Sequence, residues 1–175
     1  MKHKRLATMV GMVGIVGVTC AVGAIAEAHH NNHRSPTTAE INFARDTSDL
    51  MTNTVIAALL QEINETTPAN VAQGNLSIGL VFNDRNRDMR LVGRLQPLSH
   101  NDYPNDSFER RALDSAMIGV PTTSVERDEG RWYYRRSIPL SNFQGQCAMC
   151  HSNFQGLAST DWVGALMLRV PIDTD

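Results

Sequence analysis

Two thiols and an imidazole lie within one short segment near the C-terminal end, Gln144–Phe154, which reads QGQCAMCHSNF. Cys147, Cys150 and His151 form a C-x-x-C-H pattern, and the chain's third cysteine is Cys20, far away in the N-terminal leader. The cluster restricts the fold more than any other feature, because each chemistry open to it demands a different surrounding. A structural zinc site takes four N or S ligands. The motif supplies three at most, and no second C-x-x-C or H-x-x-x-H completes the set. A thioredoxin-type pair opens a helix directly after a strand of a βαβ unit, whereas the flanks here, SIPLSNFQG and SNFQGLAST, are loop-like. A disulfide across two intervening residues would be strained. Covalent haem meets every constraint: the two thiols add to the two vinyl groups along one porphyrin edge, and the next residue falls under the iron. The single motif predicts one covalently bound haem c, attached through Cys147 and Cys150, with His151 as the proximal metal ligand.

The N-terminus supports this reading, since such attachment belongs to exported proteins. MKHKR is followed by an uncharged stretch, Leu6–Ala26, and by two small-x-small sites, Ala24-Ile25-Ala26 and Ala26-Glu27-Ala28. This is the pattern of a secretory signal peptide over residues 1–28. The expected location is the periplasm, with a membrane attachment only if the leader is retained, for which the apolar run is just long enough. Thr19 before Cys20 is a poor fit to a lipoprotein site, so Cys20 goes with the leader. Residues 29–36 read as a flexible segment whose His29, His30 and His33 form a solvated tail, and 37–175 as the haem domain. A chain of 175 residues holds one domain with a real core. Its formal net charge of −2, with no clustered basic face, excludes a nucleic-acid binder.

Periodicity outlines the body. Thr37 and Glu40 have capping-box spacing, and Ile41, Ala44, Met51, Val55, Ala58, Leu59 and Ile63 recur as one face of a helix over residues 38–65. Leu76–Phe82 and Met89–Leu95 read as two strands of a hairpin turning through Asn83–Asp88. Asp106 caps a second helix with Phe108, Ala112, Leu113 and Ala116 inward and Gly119 as its stop. TTSVERDEGRWYYRRSIPL is a hairpin turning at Asp128-Glu129-Gly130, with Trp132, Tyr134, Arg136 and Ile138 on one face and Tyr133, Arg135 and Ser137 on the other. WVGALMLRVPI supplies a last strand, Val163–Val170. The expected class is α+β: a largely antiparallel sheet, helices on one side of it, a long N-terminal amphipathic helix and a second helix. The haem then lies on the loop before the last strand.

Three blocks, MRLVGRLQPLSHNDYPNDSFERRAL, GRWYYRRSIPLSNFQGQCAMCH and WVGALMLRVPI, together resemble the exported single-haem c-type cytochromes with a PAS-like fold. That family has long been known as a domain of unknown function, and it includes free-standing cytochromes and haem sensor modules of bacterial signalling proteins. The resemblance implies a PAS-like domain with covalent haem on Cys147 and Cys150 and His151 as proximal ligand. It leaves the distal ligand open. At least one member resembles a thiolate-ligated haem, with the cysteine upstream of the first strand. This chain has no cysteine between Cys20 and Cys147, which excludes a thiolate once the leader is cleaved.

The distal candidates are His100, in the loop LSHNDYPND that the family places near the haem, and Met51, with Met89, Met117, Met167, water or an open site beside them. Against His100 stands a solvated loop histidine, and against Met51 a core filler. Haem propionates call for a cationic fork, for which Arg135 and Arg136 compete. Tyr134, with Tyr133 and Phe154, would pack the ring. The function expected is electron transfer or redox reporting with redox partner proteins, and no enzymatic activity. The alternative is a haem-based sensor that takes NO, CO or O2 on an open iron and signals through a separate partner. A peroxidase-like enzyme would need distal acid–base groups, for which His100 alone offers itself.

Overall fold

In the computed structural model, which describes residues 34–72, 78, 82, 88–94 and 102–174, helix α1 spans Thr38–Glu65. Its start is dictated locally. The Thr37 hydroxyl accepts from the Glu40 N–H at 3.4 Å, and the Glu40 carboxylate accepts from the Thr37 N–H at 2.7 Å, a reciprocal capping box. Arg34 closes on the same carboxylate at 2.6 Å and holds its pKa down to about 2. The buried side chains of α1 are small or polar for most of its length: Ala44, Ser48 and Thr52, then Leu59. Ile41, Met51, Val55, Ile56 and Ile63 pack at the margins of that stripe. Ala58, expected inside, is exposed. It sits one residue, or about 100°, away from the buried Leu59.

The stretch Leu76–Phe82 differs from expectation. Its described residues, Ile78 and Phe82, are helical, and both pack with Leu59. They stand four apart, so one helix face carries both to the same neighbour. A run that is apolar almost throughout satisfies that spacing as readily as a strand pattern. Residues 83–87 lie outside the described residues. Among the described residues, strand β1, Met89–Gly93, pairs with nothing in the preceding run. It pairs with the C-terminal strand.

Among the described residues, four strands form one antiparallel sheet: β1, β2 (Thr122–Asp128), β3 (Arg131–Ser141) and β4 (Trp162–Ile172), in the order β1-β4-β3-β2. The β2–β3 turn is set by two positive φ angles, 48° at Glu129 and 85° at Gly130, which suit a two-residue hairpin. Helix α2, Ser107–Ala116, begins where the Asp106 carboxylate accepts from the Glu109 N–H at 2.8 Å. It buries Phe108, Ala112, Leu113 and Ala116 and stops before Gly119 at φ 78°.

The two helices cover opposite faces of the sheet, not one face as the sequence suggested. Along β4, Leu166, Leu168, Val170 and Ile172 pack in the clusters that hold α1 residues, while Ala165 and Met167 pack against α2. The reason is visible in β4 itself: Ala165–Leu168 is apolar without interruption, the pattern of a strand buried on both faces. The alternation expected in β3 is observed. Trp132, Tyr134 and Ile138 join the α1-face clusters, and Arg136 pairs with Asp49 of α1. Arg135 lies over the Phe108 ring of α2.

Beside the central strand the backbones come close. A Cβ added at Gly164 would lie 2.6 Å from the Val92 carbonyl oxygen, while one at Gly93 would meet nothing nearer than 3.9 Å. Gly164→Ala is expected to cost about 1–3 kcal/mol in urea unfolding, with Gly93→Ala within about 0.5 kcal/mol of wild type.

Candidate functional site

The C-terminal ends of β1 and β3 and the N-terminal ends of β2 and β4 meet at one end of the sheet, as the pairs Gly93–Gly164, Thr122–Ser137 and Ser141–Trp162 require. The C-x-x-C-H motif lies on the excursion between β3 and β4 at that end. Asn142, fully buried, closes the base of the loop. Its N–H donates to the Asp161 carbonyl at 2.9 Å and its side-chain amide to the Leu157 carbonyl at 3.0 Å. Phe143 tucks into the Leu59–Leu140 cluster and ties the loop to the α1 face.

Two 3-10 segments, Phe143–Met149 and Ser152–Phe154, carry the motif. The Cys147 carbonyl accepts from the N–H groups of both Cys150, at 3.2 Å, and His151, at 2.9 Å. The His151 carbonyl in turn accepts from the Phe154 N–H at 2.9 Å. In 3-10 geometry side chains three apart eclipse, so the Phe154 ring lands on the imidazole. The two stack at 4.7 Å between centroids and 20° between planes, with Phe154 buried. This fixes the plane of the histidine ring. Its Nδ1 is buried with no hydrogen-bond partner among the described residues. Burial pushes the His151 pKa below the ordinary histidine value, against a smaller opposing pull from the Asp102 carboxylate.

Cys147 and Cys150 are free thiols, both half-buried. Burial pushes both pKa values above the ordinary thiol range, with the neighbouring Cys150 adding to the effect at Cys147. A thiol–disulfide exchange pair works the other way, with a thiolate favoured by a helix N-terminus or a nearby cation. Among the described residues no three His, Cys, Asp or Glu side chains converge as a metal-holding group. Thioether attachment asks for no such convergence, since the thiols bond to separate carbons along a porphyrin edge and the imidazole alone meets the metal.

The other residues singled out in the sequence fall elsewhere. Tyr134 packs with Ala44, Val170 and Ile172 on the α1 face. It lies about 20 Å along β3 from Leu140, where the strand reaches the motif end. Arg136 is paired with Asp49. Arg135, 11% exposed, pairs with Asp106 at 2.8 Å, Glu126 at 3.3 Å and Glu109 at 3.9 Å. Both guanidiniums are thus matched by carboxylates of the protein. Met51 packs at the junction of the two α1-face clusters. His100 and the histidines of the N-terminal segment lie outside the described residues.

Sequence reasoning passed over two features. One is the inward turn of the His151 imidazole, whose Nδ1 is buried; a loop histidine gives no local signal of it. The other is the buried pair of Arg90 and Glu109 at 2.5 Å. The trace it leaves in sequence is an arginine inside an otherwise apolar strand, opposite a helix N-terminus.

No family model matches the chain, and no curated protein sequence matches it.

The raised thiol pKa values predict slow alkylation. In protein made without haem, iodoacetamide labelling of Cys147 and Cys150 should climb only above the ordinary thiol range. A rate already at its plateau at pH 7 would instead mark an activated exchange pair.

Proposed function

We propose that this chain is an exported c-type haem protein of PAS-like fold, with one haem c held by thioether bonds to Cys147 and Cys150 and by the His151 imidazole on iron. The observation that carries the reading is the state of His151. Its ring plane is set by Phe154, and its Nδ1 is turned inward, so that Nε2 is the nitrogen left for a metal. Two unpaired, neutral thiols stand four and one residues before it in the same short loop. The residues therefore fit the group. An antiparallel sheet with flanking helices, and the motif on the connection into β4, are compatible with the PAS-like assignment.

The bound haem would supply one-electron exchange at its iron. The work of the chain is then to hold the imidazole, exclude water from Nδ1, and tune the potential through the charges and burial around the ligand. Electron transfer or redox reporting to partner proteins in the periplasm is the function this supports.

Protein matured with haem in an export-competent host should carry a covalent haem band on a denaturing gel and c-type absorption when reduced. Cys147→Ala combined with Cys150→Ala should abolish the band. Retention of covalent haem by that double variant, or its absence from the parent chain, overturns the reading.

A further inference from the structure

We propose that the outward face of α1 is a docking surface for a second copy of this chain, with the two helices antiparallel across a two-fold axis at Leu50. The inference stands apart from the haem reading above, since it uses the surface of one helix and no residue of the motif.

The face is defined by what α1 shows to solvent. Its inner stripe of Ala44, Ser48, Thr52 and Leu59 is buried. Phe43, Leu50 and Ala57 lie on the side opposite that stripe, one heptad apart, so that each is only about 20° round the helix from the last. All three are exposed, Phe43 at 77% and Leu50 at 68%. Single exposed apolar side chains are ordinary. These are aligned, and the face around them lacks the charges that a solvated helix face carries. The run Leu50–Gln61 contains no charged side chain at all.

Charge and size decide what covers it. Over its whole length α1 carries Glu40, Asp46, Asp49, Glu62 and Glu65 against Arg45 alone. Helices that lie on a membrane surface are rich in Lys and Arg instead, so an anionic lipid surface repels this one. A second copy fits, in one orientation. Parallel pairing would set like positions together: Asp46, exposed beside the same stripe, would meet Asp46, and Phe43 would meet Phe43. Antiparallel pairing about Leu50 sets Phe43 over Ala57 of the second copy, a large side chain against a small one, and symmetry makes that contact twice. It also sets Asp46 beside Asn53 and Thr54 of the second copy, which carry no charge. One helix from each copy offers less area than the roughly 1,200–2,000 Å² of a stable interface, so the dimer is weak and reversible.

The test is the mass of the protein in solution, which reads the same whether or not haem is bound. Sedimentation equilibrium of protein matured in an export-competent host should show the average mass climbing from one copy toward two over roughly 1–200 µM. Leu50→Glu sets two carboxylates face to face at the axis and should weaken association at least about tenfold. Its circular dichroism and unfolding midpoint should match the parent, because the side chain is exposed. Phe43→Lys and Ala57→Glu should each weaken association alone, and an equimolar mixture of the two should recover it. Antiparallel pairing brings the introduced cation against the introduced carboxylate, whereas parallel pairing keeps them apart. A parent chain that stays a single copy throughout that range overturns the proposal, as does a Leu50→Glu protein that associates as tightly as the parent. Association with no recovery in the mixture overturns the antiparallel arrangement. A single copy that binds phosphatidylglycerol vesicles, and loses them with Leu50→Glu, assigns the face to lipid and overturns the proposal too.

Discussion

The ion pair of Arg90 and Glu109 fixes the relation between the sheet and the segment that enters α2. Both side chains are almost fully buried, at 10% and 4% exposure. Burying two charges costs several kcal/mol per ion, and their attraction offsets this only when further hydrogen bonds are made. Here they are. Arg90 also reaches the Tyr103 carbonyl, and Glu109 accepts the Asn105 N–H. Arg135 borders the same group from the next strand but one and spreads its charge over Asp106, Glu126 and the Phe108 ring. The net contribution of such a group to stability is modest, but breaking one partner leaves an unmatched buried charge. Its worth lies in geometry: the start of α2 and the backbone before it have one place to go.

The layering follows from β4. As an inner strand it is hydrogen-bonded on both edges, and its apolar run leaves neither face fit for water. One helix on each side answers that demand. Small residues make the contact close, with Ala44 and Ser48 on α1, Ala112 and Ala116 on α2, and Gly164 where β1 passes. With both faces occupied by helices, the end of the sheet is where its connecting loops gather. The motif loop is held there by Asn142 below and Phe143 to one side, and its two 3-10 segments set the spacing of the chemistry.

What could be read from the chain in advance was whatever is local. Thr37 and Glu40, Asp106, Gly119 and the Glu129–Gly130 turn act within a few residues, and each is found doing what its type dictates. The alternation through Trp132, Tyr133, Tyr134 and Arg135 was also legible, because a strand imposes its period directly. The run through Ile78 and Phe82 misled because continuous apolar residues satisfy helix and strand periods alike. Only contact with Leu59 decides between them, and Leu59 is distant in sequence. The placement of helices on both faces was implied by the unbroken apolar stretch of β4, yet it was masked by the hairpins, which suggest a sheet with one wet face. At the site, the thiols and the imidazole announced themselves. The burial of the His151 Nδ1 did not, since a loop histidine carries no periodicity that would show it.

The Phe154–His151 stack also makes the motif easy to watch. An aromatic ring lying nearly flat against the imidazole shifts the magnetic resonances of the imidazole protons through its ring current. Those protons therefore report whether the 3-10 turn has formed, separately from any cofactor. The moment at which the loop becomes ordered, before or after maturation, is written into two carbon-bound protons of a single side chain.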